Sequence, residues 1–64
     1  MEIDMIVRRV RDEFMEMPGL RLTPAQATRL WGVPQDTCRE VIDQLVAAAF
    51  LRWTPAGLVT RMDG

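Results

Sequence analysis

Sixty-four residues, 48% hydrophobic and 27% charged, are enough for one small core and too few for a second, and the mixture excludes a low-complexity or disordered chain. Eight arginines stand against nine acids with no lysine, a formal net charge of −1 that lacks the basic surplus of a protein gripping phosphates over its whole surface. The single cysteine, Cys38, excludes an internal disulfide, and with no histidine in the chain no set of zinc ligands is plausible.

No apolar run approaches the roughly 18 residues that span a bilayer, and Glu2 and Asp4 break the basic-then-apolar order of a signal peptide. The expectation is a cytoplasmic protein made of one domain over residues 1–64.

The first segment repeats apolar residues at Ile3, Ile6, Val7, Val10, Phe14 and Met17, one stripe of an α-helix that Pro18 and Gly19 then stop. Its other face carries Arg8, Arg9, Asp12, Glu13 and Glu16, a solvated surface in which Arg8 with Asp12 and Arg9 with Glu13 have the spacing for weak pairing. Leu20-Arg21-Leu22 alternates and predicts a short strand. Thr23-Pro24-Ala25-Gln26 holds a capping hydroxyl, a proline suited to the first turn and a glutamine placed to close a capping box, so the second helix begins at Thr23.

Gly32 supplies the left-handed backbone angle that ends the second helix just after Trp31, and Pro34 opens a third from about 34 to 49. The third helix has an apolar stripe of Cys38, Val41, Ile42, Leu45 and Ala49, with Val46 at its edge. Phe50-Leu51-Arg52-Trp53 and Leu58-Val59-Thr60-Arg61 are β-prone runs joined by Thr54-Pro55-Ala56-Gly57, a turn sequence that predicts a hairpin within 50–62. The fold class is therefore α+β, mainly α, in the order helix, strand, helix, helix, strand, strand, with a three-helix core and a small antiparallel sheet.

That order, with Ala27, Trp31, Gly32, Val33 and Cys38 spaced about a tight turn and a Pro-Gly hairpin after the third helix, resembles the winged helix-turn-helix family of bacterial transcriptional regulators. The resemblance covers nearly the whole chain. It implies sequence-specific binding of double-stranded DNA and regulation of transcription, with the third helix in the major groove and the hairpin, or wing, on the neighbouring backbone.

On that reading Gln35, Asp36, Thr37, Arg39 and Glu40 are the candidates for base contact. Arg39 suits guanine, Gln35 adenine, Thr37 a base or a phosphate, and Asp36 or Glu40 the amino group of cytosine. Arg29, Arg52 and Arg61 are the candidates for phosphate contact. Helical angles put Asp36, Glu40, Asp43 and Ala47 along the centre of the third helix's outward face, so an ordinary solvated surface is the competing reading. From Leu20 to Met62 five arginines outnumber three acids, and the acidic excess falls on the first helix.

Trp31 is expected in the core, Cys38 as a buried structural thiol, and Trp53 at the base of the hairpin, either packed or in contact with a base. Met5, with Met1 and Met15 flanking, lies off the first helix's apolar stripe; flexible methionines there suit a homodimer formed in part through that helix, and scattered surface methionines are the equal alternative. No motif assembles a nucleophile, a phosphate cradle or a metal, so no enzyme, cofactor or small-molecule ligand is expected. The alternative function is a winged-helix protein-interaction or dimerisation module that does not bind DNA, docking through the first helix or the acidic face of the third.

Overall fold

A computed structural model describes residues 2–62. The order is α1 (Ile3–Glu16), α2 (Pro24–Trp31), α3 (Gln35–Ala47), β1 (Leu51–Trp53) and β2 (Val59–Arg61), three helices and a two-stranded antiparallel sheet. No helix is long and apolar enough to cross a membrane.

α1 turns Val10 and Phe14 fully inward, with Ile6 and Val7 at the rim of the core. Met17, expected on the same stripe, is 48% exposed, because the backbone leaves helical angles there and carries its side chain off the stripe. α2 starts with the full capping box: the Gln26 amide N–H donates to Thr23 Oγ1 at 3.1 Å, and the Thr23 N–H donates to Gln26 Oε1 at 3.0 Å. It ends at Gly32, whose φ of 65° and ψ of 37° redirect the chain within one residue, so that α2 and α3 remain separate helices.

α3 stops at Ala47, two residues short of the predicted end. The Phe50 N–H donates to the Leu45 carbonyl and the Ala49 N–H to the Val46 carbonyl, both at 3.0 Å, the paired reverse bonds of a Schellman motif. Ala49 takes the left-handed position of that motif at φ 59° and is exposed, not the end of the apolar stripe. Pro34 is the N-cap of α3 rather than its first residue.

Leu51 pairs with Arg61, Arg52 with Thr60 and Trp53 with Val59. The connection is a β-turn closed by the Gly57 N–H on the Thr54 carbonyl at 3.0 Å, with Gly57 at φ 84°. The Thr54 side chain also accepts from the Leu58 N–H, so this one residue bonds both within the turn and across it. Each strand is one residue shorter at its start than predicted, since Phe50 is spent on capping α3 and the Leu58 carbonyl accepts from the Thr54 N–H.

The strand predicted at Leu20-Arg21-Leu22 reduces to one bridge. The Leu22 N–H donates to the Val59 carbonyl at 3.1 Å and the Val59 N–H to the Leu22 carbonyl at 2.7 Å, while Arg21 makes no ladder contact. Pro18-Gly19 on one side and the α2 cap on the other leave room for a single paired residue.

One cluster fills the centre: Val10 and Phe14 of α1, Ala27 and Trp31 of α2, Cys38, Val41, Ile42 and Leu45 of α3, with Leu22, Val33, Leu51 and Val59. Phe14 and Trp31 meet edge to face, centroids 6.5 Å apart at 68°. No buried side-chain polar atom among the described residues lacks a hydrogen-bond partner.

Candidate nucleic-acid interface

The start of α3, the start of α2 and the end of β1 enclose a cleft of about 270 Å³ lined by Pro24, Thr28, Gln35, Cys38, Arg39 and Trp53. Each wall has a local cause. Gln35 and Arg39 are one turn apart on α3 and project from the same flank. The αL turn at Gly32 sets that flank beside the first turns of α2, where Pro24 and Thr28 are likewise one turn apart. Trp53 shares a strand face with the fully buried Leu51 but lies at the strand's end, where the core gives out, and is 43% exposed.

The protons of the floor's polar groups are spent internally. Thr28 Oγ1 donates to the Pro24 carbonyl at 2.9 Å, which leaves its methyl group as lining, and the Cys38 thiol donates weakly to the same carbonyl at 3.9 Å. Cys38 is 1% exposed, as a structural thiol should be. The cleft therefore has an apolar floor of proline ring, methyl, sulfur and indole beneath a polar lip of Gln35 and Arg39.

The structure divides the eight residues expected at the interface. Gln35 and Arg39 meet at the cleft. Asp36 and Glu40 are exposed on the outer face of α3 with Asp43, roughly 60 to 120° round the helix from the Gln35–Arg39 flank. Thr37 is half-buried on the far flank of α3. Arg29 is exposed beside Leu22, Gln26 and Leu30, on a different groove.

Of the hairpin arginines, Arg52 is half-buried and paired in register with Thr60, and Arg61 lies over the Phe50 ring, 5.8 Å from its centroid. Arg11 of α1 sits 5.7 Å from the same centroid, so two guanidinium groups attend one phenyl ring at the C-terminal end of α3, away from the cleft.

Pro24 and Thr28 carry no motif that marks them as site residues, and the sequence does not place Trp53 beside them. The period of two along β1 was the available signal: Leu51 inward implies Trp53 on the same face. Nothing in the residue spacing tells where that face meets α2.

Glu13 also changes role. Expected on a solvated face, it is half-buried and accepts from Trp31 Nε1 at 2.9 Å, while Arg8, Arg9, Asp12 and Glu16 remain exposed. Met5 and Met15 are 68% and 54% exposed on α1; Met1 lies outside the described residues. Among the described residues no group of three or more Cys, Asp or Glu side chains could hold a metal ion. The chain matches no protein-family model, no curated protein and no solved structure.

Proposed function

We propose that this chain is a winged helix-turn-helix module that binds double-stranded DNA and acts in transcriptional regulation, with the first two turns of α3 in the major groove and the β1–β2 hairpin against the adjoining backbone. The observation that carries this reading is the convergence of Gln35, Arg39 and Trp53 on one cleft at the start of α3. Arg39 has the fork that takes guanine O6 and N7, and Gln35 the amide that takes adenine N6 and N7. Both leave the helix on the side nearest the hairpin, as a helix and wing straddling one groove edge require.

The acids of α3 lie off that flank and weaken contact with phosphates in general, so discrimination rests on base edges rather than on bulk charge. Arg29 and Arg52 remain the phosphate contacts of this reading; Arg61 serves first as a partner of Phe50. The function needs no catalytic group, and we read the chain as a binding module rather than an enzyme.

Fluorescence anisotropy with a random-sequence duplex at about 50 mM and about 200 mM salt tests the reading. Binding should appear at the lower salt, fade at the higher, and drop with Arg39→Ala. No binding at low salt would overturn it in favour of a protein-interaction module.

That second reading has its own observation, the exposed Met5 and Met15 on α1. The same pair supports a homodimer through α1, which light scattering at micromolar concentration tests: a mass of one chain only would remove it.

A further inference from the structure

Resting on the DNA-binding reading, we infer that the cleft between α2, α3 and β1 is a reader of the thymine methyl group, placing a thymine beside the base that Arg39 contacts. Three features carry the inference. The floor is apolar in its chemistry and not merely in its residue names, because the Thr28 hydroxyl and the Cys38 thiol both spend their protons on the Pro24 carbonyl. What remains to face a ligand is the Pro24 ring, the Thr28 methyl group and the indole of Trp53, with the buried Cys38 beneath them. A duplex offers one group on its major-groove base edges that such a surface recognises, the 5-methyl of a pyrimidine.

The lip then chooses between the two pyrimidines that carry that methyl. Arg39 and the Trp53 indole N–H have only protons to give, while the Gln35 amide can donate or accept and so does not choose between the pyrimidines. Trp53 is 43% exposed at the cleft, which puts its indole within reach of an acceptor on a base edge. Thymine places the O4 acceptor next to its methyl, whereas 5-methylcytosine places an amino donor there. The two donor-only groups of this lip match thymine and oppose methylcytosine. The acids that would accept from an amino group, Asp36 and Glu40, point elsewhere on α3.

The test starts from the tightest duplex enriched from a randomised pool by the wild-type chain. That duplex is synthesised in three forms: with thymine, with deoxyuridine at every thymine, and with 5-methylcytosine paired to guanine at the positions protected by the chain. Burial of one methyl group predicts roughly fourfold tighter binding to the thymine form than to the deoxyuridine form for each thymine read. The methylcytosine form should bind no better than deoxyuridine.

Trp53→Ala should bring the thymine-to-deoxyuridine ratio to about one. Thr28→Ser keeps the hydroxyl bond to Pro24 and removes only the lining methyl, so it should lower the ratio without disturbing the helix, and circular dichroism of both variants checks the fold. Equal affinity of the wild type for thymine and deoxyuridine forms overturns the inference while leaving DNA binding intact. Failure to enrich or bind any duplex at low salt overturns the DNA-binding reading itself.

Discussion

Trp31 Nε1 donates to Glu13 Oε2 across 2.9 Å, a bond between α2 and α1 that joins two elements 18 residues apart in sequence. A hydrogen bond to a charged acceptor at a half-buried site contributes more than a neutral one, and its loss leaves an indole N–H without a partner. Glu13→Ala and Trp31→Phe should each lower the unfolding free energy by about 1–2 kcal/mol. Urea unfolding of the double variant should show less than the sum of the two, because both remove the same bond.

The two left-handed residues at helix ends respond in opposite directions. Gly32 has open space around a would-be Cβ, so the cost of Gly32→Ala is purely one of backbone angle, about 1 kcal/mol. Ala49 already bears that cost at φ 59°, and Ala49→Gly should raise stability by about 0.5–1 kcal/mol. Thermal melts followed at 222 nm check both, and a loss on Ala49→Gly would contradict the Schellman geometry.

Thr23→Ala removes the side chain that accepts from the Gln26 N–H and should destabilise by about 1 kcal/mol. Gln26→Ala removes only the reciprocal bond to the Thr23 N–H and should cost less. Because Thr23 adjoins Pro24, the Thr23 variant should also disturb the cleft, seen as a change in the emission of Trp53.

Neutralising the exposed acids of α3 should strengthen binding of duplex DNA. Asp36→Asn and Asp43→Asn should each raise affinity by roughly threefold at low salt, an effect that fades as ions screen the carboxylates. Anisotropy titrations at two ionic strengths check this, and unchanged affinity in both variants would put the outer face of α3 away from the nucleic acid.

Local chemistry made much of the fold legible. Thr23, Pro24 and Gln26 announce a helix start in three residues, Gly32 a break, and Thr54-Pro55-Ala56-Gly57 a hairpin, because each acts through backbone angles or bonds within its own turn. The misses share a different cause. Leu20-Arg21-Leu22 alternates well enough for a strand, yet how much of it pairs depends on the distant Val59. Ala49 continues the helical period while the chain is already reversing on Phe50. Glu13 reads as a surface charge until α2 brings Trp31 to it. The site follows the same rule: Gln35 and Arg39 stand among five candidates at the start of the third helix, but their meeting with Pro24, Thr28 and Trp53 belongs to tertiary packing.

The bridge between Leu22 and Val59 has a mechanical consequence. Trp53 stands opposite Val59, Val59 is bonded to Leu22, and Pro24 follows Leu22 by two residues, so the indole wall and the proline wall hang from one transverse row of backbone. Interstrand spacing of about 4.8 Å sets the length of each step in that row. The spacing of those two walls is thus set by peptide groups, while the long side chains of Gln35 and Arg39 border the remaining side from α3.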